Sequence, residues 1–100
     1  MSRLIKVTRN KHMVYWTQLA DVVVDGQVIG HLQNGESRTF EISDSSHEIF
    51  VKLVYLGVPL VTDTLQIPAD YRNHAYESII KKGFIKSSIS LLENAEKVTG

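Results

Sequence analysis

One hundred residues with 43% hydrophobic content are enough for one domain with a single core, and no second domain is expected. The absence of cysteine excludes a disulfide framework, a thiolate metal site and a cysteine nucleophile, and it fits a reducing compartment. The formal net charge of zero argues against a general nucleic-acid binder, which carries a basic domain.

That zero conceals a segregation. Residues 1–16 hold Arg3, Lys6, Arg9 and Lys11 and no acid. Residues 17–70 hold eight acids against Arg38 and Lys52, and residues 71–100 hold five bases against three acids. The plain reading is solvated strand faces of differing sign. The sharper one is a bipolar surface that steers association with a protein partner or a second copy, with Arg3, Lys6, Arg9, Lys11 and Trp16 as the partner-binding residues. Met1 to Lys6 has no apolar leader pattern, and no apolar run approaches the roughly 18–20 residues of a membrane span. The expectation is a soluble, cytoplasmic protein.

In chain order, Arg3 to Arg9 alternates, with Ile5 and Val7 on one face and Leu4, Lys6 and Thr8 on the other, the period of a half-buried strand. Asn10-Lys11 reads as a turn, and His12 to Thr17 as a second strand paired with the first. Trp16, the one tryptophan, is a core or core-edge residue by type. Val22 to Val24 then runs into Asp25-Gly26, the two-residue hairpin signal that needs φ > 0 at both positions. A two-residue loop would set Val24 opposite Gln27, Val23 opposite Val28, Val22 opposite Ile29 and Leu19 opposite Leu32. Apolar pairs on both faces would make this a central ribbon.

Asn34-Gly35-Glu36 breaks the chain before Ser37 to Ser43, which alternates around Phe40 and Ile42. Asp44-Ser45-Ser46 breaks it again before Glu48 to Tyr55. In that run Ile49, Val51, Leu53 and Tyr55 share one face, and Glu48, Phe50, Lys52 and Val54 the other. Leu56-Gly57-Val58-Pro59 is a turn. Leu60 to Ile67 resumes alternation with Val61, Leu65 and Ile67 inward, and Asp63 falls on that inward phase, so either a bulge or a sheet edge lies there. Pro68 to Gly83 reads two ways. Proline early, Lys81 and Lys82 late and glycine at the end fit a short helix over about 69–82. A terminal hairpin of 74–82 with 84–92, placing Ile85, Ile89 and Leu91 on one face, is favoured because Asn73, His74, Tyr76, Ser78, Ile79 and Ile80 are mediocre helix formers. Residues 93–100 read as a frayed tail or a short last turn.

Turn signals every 8–12 residues or so predict an all-β fold, one antiparallel β-sandwich of about 7–8 strands filling residues 1–100. The order Val-x-Val-Asp-Gly-Gln-x-x-Gly-x-Leu-x-Asn-Gly-Glu, then Phe-x-Ile, then His-x-Ile-x-Val-Lys, over about Val22 to Lys52, resembles PEGA-type and related bacterial β-sandwich domains. The third turn departs from that pattern, with Asp44-Ser45-Ser46-His47 in place of Pro-Gly-x-His. The resemblance implies an immunoglobulin-like or PEGA-like sandwich and a non-enzymatic habit, and it names no catalytic residues.

The residues carry little chemistry by spacing. His12, His31, His47 and His74 form no His-x-His or i, i+4 pair, so no transition metal and no cofactor are expected. The serines, Ser37, Ser45, Ser46, Ser87 and Ser88 among them, lie in no nucleophile elbow. His47, after a turn, reads as a structural residue that caps backbone carbonyls. Two function classes remain: a binding or accessory domain presenting a sheet face or edge to a protein or cell-envelope partner, and a small-ligand binder or enzyme at a sandwich end. For the second, Asp25, Glu36, Asp44, His47 and Tyr55 are the nearest polar cluster if the turns converge.

Overall fold

Strand-period alternation in the sequence becomes nine strands, and no helix forms among the described residues. The structure, a computed structural model, describes residues 2–11, 18–55, 57–70, 72–82 and 87–93. The strands are β1 (Ser2–Arg9), β2 (Ala20–Val24), β3 (Gln27–Leu32), β4 (Ser37–Ser43), β5 (His47–Tyr55), β6 (Val58–Val61), β7 (Leu65–Ile67), β8 (His74–Lys82) and β9 (Ser87–Glu93). One sheet has the order β4-β1-β8-β9. The other has the order β3-β2-β5-β6, with β7 also paired to β5.

Nine described strands exceed the expected 7–8, and Leu60 to Ile67, read as one strand, is divided between β6 and β7. Of the two readings of the segment after Pro68, the favoured hairpin forms as β8 with β9 and the helix does not. Ile89 and Leu91 of β9 are buried, while Ile85, Trp16 and the expected strand at 12–17 lie outside the described residues. The pairing is not wholly antiparallel either. β1 runs antiparallel to β4 but parallel to β8, Ile5 opposite His74 and Val7 opposite Tyr76. A parallel pair needs a long crossover, and here the chain builds the whole second sheet between the two strands. Both edges of β1 are thereby occupied by β4 and β8, where a local partner from 12–17 was expected.

Along β1, β4 and β5 alternate residues turn inward, as the pleat requires. Ile5 and Val7, Phe40 and Ile42, Tyr76, Ile89 and Leu91 from the first sheet join Ala20, Val22, Val24, Leu32, Ile49, Val51, Leu53 and Ile67 from the second in one buried cluster. Each fully buried aliphatic side chain contributes about 1.5–3 kcal/mol. The register Ala20–Leu53, Val22–Val51, Val24–Ile49 makes β2 and β5 the apolar spine of the second sheet.

Two bulges correct the register read from alternation. The Asp25-Gly26 turn forms with φ of 52° and 79°, and Val24–Gln27 and Val23–Val28 pair as expected. Then the register shifts, Val22 faces Gly30 and Ala20 faces Leu32. Ile29 is the extra residue, and β3 becomes an edge strand rather than part of a central ribbon, with Val28 51% and Ile29 36% exposed. The second bulge lies at 62–64, between the pairs Lys52–Val61 and Ile49–Leu65. Buried Thr62 fills the break: its N–H donates to Val51 O, and its Oγ1 accepts the Val51 N–H, each at 2.9 Å. Asp63 is therefore exposed. Val61, expected inward, faces out with Lys52.

Gly30 is fixed by space. A Cβ there would lie 2.6 Å from Phe40 Cε1, because the Phe40 ring of β4 presses on the backbone of β3 in the other sheet. Gly30→Ala should cost about 1–3 kcal/mol by overpacking, and less in a Phe40→Leu background, measured by denaturant unfolding of the four proteins of the cycle. Equal losses in both backgrounds would show that the two residues do not meet.

Candidate functional site

The inward parity of β1 extends past its apolar residues to both ends. Arg3 and Arg9 share the phase of Ile5 and Val7, and they are 3% and 1% exposed. Such burial is tolerable only if the guanidinium donors are met. Arg9 Nη1 donates to the carbonyls of Gln18 and, at 3.0 Å, of Leu32, tying the start of β2 and the end of β3 to β1. Burial pulls its ionisation below the ordinary arginine value. Arg3 donates from Nε to Ser43 O at 3.1 Å, from Nη2 to Ser45 O at 2.8 Å and from Nη1 to Asp70 Oδ1 at 2.6 Å. The basic residues singled out in the sequence therefore do not form one surface. Arg3 and Arg9 are internal ties, Lys6 is half-buried on the outer side of β1, and Lys11 is exposed beside Gly35.

At the Arg3 end, polar side chains of β1, β8 and β9 converge with the loop before β8. Asp70 receives Arg3, the Arg72 N–H at 3.0 Å and the His74 ring, whose Nε2 lies 3.2 Å from both carboxylate oxygens. On the other side of the His74 ring, Nδ1 lies 2.6 Å from Glu93 Oε1, so Glu93, expected in a frayed tail, closes β9 instead. Desolvation pushes the Asp70 carboxyl up. The hydrogen bonds from His74 and the Arg72 backbone outweigh it, and with the His74 charge and the Arg72 side chain they hold the group down at about 2. Tyr76 stacks near His74 with ring centroids 6.4 Å apart, and its buried hydroxyl has no hydrogen-bond partner among the described residues. Burial first, then the nearby Glu93 charge, pushes that hydroxyl up to about 12.

Ser43, whose carbonyl Arg3 holds, also begins a second chain of contacts. Its Oγ lies 2.9 Å from His47 Nε2, and His47 Nδ1 lies 2.6 Å from Asp25 Oδ2. Asp25 Oδ1 accepts the Glu48 N–H at 2.9 Å, and the Asp25 N–H donates back to Glu48 O. The hydrogen bond to His47, then that from the Glu48 backbone, hold the Asp25 carboxyl below its usual value. The β2–β3 turn is thus fastened to the start of β5. The atom order Ser Oγ, His Nε2, His Nδ1, Asp Oδ is that of a hydrolytic relay.

Of the polar cluster expected at a sandwich end, Asp25 and His47 are brought into contact, with Asp44 in the turn beside Ser43. Glu36 belongs to the opposite, Arg9 end: its Oε1 accepts the Gln33 N–H at 2.8 Å and its carbonyl accepts the Arg9 N–H at 2.9 Å. Tyr55 ends β5 away from His47. Sequence reasoning passed over Ser43, Asp70 and Glu93. The i, i+4 spacings Ser43/His47 and Asp70/His74 were the available signals, but their geometry depends on a turn and a loop rather than a helix. The groups of His, Asp and Glu among the described residues include none arranged to hold a metal ion.

Elsewhere the outward side of the five-stranded sheet carries an apolar row across neighbouring strands, among charged Asp21, Glu48 and Lys52. Val23, 4% exposed, lies outside the core cluster with Val28 and Phe50 as its cross-strand neighbours, while Val54 and Val61 are 44% and 49% exposed. No family model, curated protein or solved structure matches the chain. No helix among the described residues is long and apolar enough to cross a membrane.

The Asp70 tie sets an acid limit to stability. A group held below its unfolded value of 3.8 stabilises the fold fully above that value, and the contribution is lost as pH falls towards 2. In denaturant unfolding across pH, the gap between wild type and Asp70→Asn should be constant above about pH 5 and close in acid. A gap that persists unchanged at low pH would show that the Asp70 charge is not what holds Arg3 and His74.

Proposed function

We propose that this chain is a binding or accessory domain, a PEGA-like sandwich of the two sheets, that presents the outer face of its five-stranded sheet to a protein. One shared buried cluster supports the sandwich. The observation that carries the binding reading is the apolar row Val28, Val23, Phe50 on the side away from that core, continued by exposed Val54 and Val61. Exposed apolar side chains grouped on one face, here Val28, Val54 and Val61 about half-buried Phe50, are the kind of surface at which partners bind.

The face is favoured over the edge. β3 is an edge strand, but its bulge at Ile29 breaks the ladder, and Arg38 of β4 donates from Nη1 to His31 O at 3.2 Å, occupying an edge carbonyl. Bulges and covering side chains are devices that prevent edge pairing.

The occupant that the face fits is a second copy of the chain. Outward residues of β5 read Glu48, Phe50, Lys52, Val54. Two such faces stacked antiparallel about Phe50 set Glu48 of each copy opposite Lys52 of the other, and a two-fold arrangement makes both contacts at once. Cross-strand Asp21 and Lys52 on the same face add a self-complementary pair of charges. These charges set orientation more than affinity and are screened over about 8–10 Å at physiological salt. Sedimentation velocity over a range of concentrations should show reversible dimerisation of the wild type, weakened at high salt and abolished by Phe50→Glu. A wild type that stays monomeric throughout would remove this use of the face.

A further inference from the structure

We propose that Ser43 is a reactive nucleophile toward small carboxylic esters, activated by His47 and Asp25 at the end of the sheets. This goes beyond the binding reading and is independent of it, since it uses neither Phe50 nor the outer face.

Three features of the site support it. The first is connectivity. A serine hydroxyl at 2.9 Å from His47 Nε2 can pass its proton to the ring only if Nδ1 carries the other proton; Asp25 Oδ2 at 2.6 Å from Nδ1 favours that tautomer over the one that the longer 3.3 Å contact of Nε2 with Ser43 O would take. The Asp25 carboxylate is in turn fixed by the Glu48 N–H at 2.9 Å, so the orienting group is itself oriented. The second is access. Ser43 and Asp25 are exposed and the His47 side chain is 15% exposed, so an ester can reach Oγ while the imidazole stays largely packed. The third is the backbone around the serine. Arg3 holds the carbonyls of both Ser43 and Ser45, and the Ser45 N–H lies 3.4 Å from Ser43 Oγ. That N–H points at Oγ, so the backbone on either side of the serine and the hydroxyl itself are held in place.

The step is acyl transfer. Ser43 Oγ bonds to the ester carbonyl carbon as its proton moves to His47 Nε2. The bond from that carbon to the alkoxy oxygen then breaks, and the leaving alkoxide takes the proton from Nε2 as the free alcohol. Water attacks the resulting acyl-serine by the same route in reverse, His47 takes the water's proton and returns it to Oγ, and a carboxylic acid is released. The exposed position suits short, unhindered acyl groups such as acetyl rather than long chains, which would need an enclosing apolar pocket.

The test treats the full chain with a short alkyl fluorophosphonate, with the site of modification mapped by peptide mass spectrometry and p-nitrophenyl acetate turnover followed in parallel. Exposed Ser45, two residues away, is the internal standard for an unactivated serine. The expected result is Ser43 labelled at least about 100-fold faster than Ser45, with a loss of about 10²–10⁴-fold in His47→Gln, the range for removal of a general base. Ester turnover should fall with it and vanish in Ser43→Ala. Circular dichroism and thermal melting establish that each variant is folded. If His47→Gln fails to fold, the ratio of Ser43 to Ser45 labelling in the wild type decides alone. Ser43 labelled no faster than Ser45 in the folded wild type, or equally fast in folded His47→Gln, overturns the proposal.

Discussion

A guanidinium removed from water costs several kcal/mol unless it is paired or hydrogen-bonded, and β1 buries one at each of its ends. Arg3 and Arg9 flank Ile5 and Val7 on the inward side of a strand whose two edges are already occupied by β4 and β8. Each arginine reaches carbonyls at a strand end and in a neighbouring connection: Leu32 and Gln18 at one end, Ser43 and Ser45 at the other. The apolar cluster holds the sheets together without choosing how their ends connect. The arginines make that choice, because a misplaced loop would leave a buried charge unsatisfied. Buried ion pairs of this kind contribute less to net stability than to the cost of every alternative arrangement.

The strand period was legible wherever one face was apolar and the other polar. The hairpin at Asp25-Gly26, the inward sets of β4 and β5, and the strand at 74–82 could all be read this way, because side-chain alternation and turn chemistry are local. What could not be read was decided at a distance. Ile29 became a bulge residue through the register of β3 on β2, and Val61 turned outward because 62–64 carries one residue more than the segment of β5 it faces. The parallel pairing of β1 with β8 joins residues some seventy positions apart, and no feature of either strand announces it.

Charge misled where parity would have helped. Arg3, Ile5, Val7 and Arg9 fall on one phase of the pleat, so the alternation that buried the two aliphatic residues also buried the two arginines. Counting bases along the chain treated Arg3, Lys6, Arg9 and Lys11 as one patch, although only the lysines stand on the outer phase or beyond the strand. At the far side of the same network, His74 could not be assigned from sequence because its partners Asp70 and Glu93 come from a loop and from the last described strand. The cluster around His74 and Asp70 is nevertheless what anchors Arg3, so a buried charge depends on the residues least visible to pattern.

The end of the molecule that Arg3 organises is also where a serine, a histidine and an aspartate meet, and the two facts are physically connected. Ser43 is the last residue of β4, and its side chain has direction only because its backbone is fixed. Arg3 Nε fixes the Ser43 carbonyl from the core side, and the Asp25–Glu48 bonds fix the strand that carries His47. Rigid support from buried groups is what separates a positioned hydroxyl from an ordinary exposed one, since effective proton transfer needs the donor and base held within hydrogen-bond reach. The same bonds serve closure of the turn whether or not any chemistry follows. Contact with His47 therefore needs no separate explanation as a fold element, and what distinguishes a nucleophile from a tie is whether the hydroxyl can exchange its bond to the imidazole for one to carbon while Asp25 keeps the ring in place.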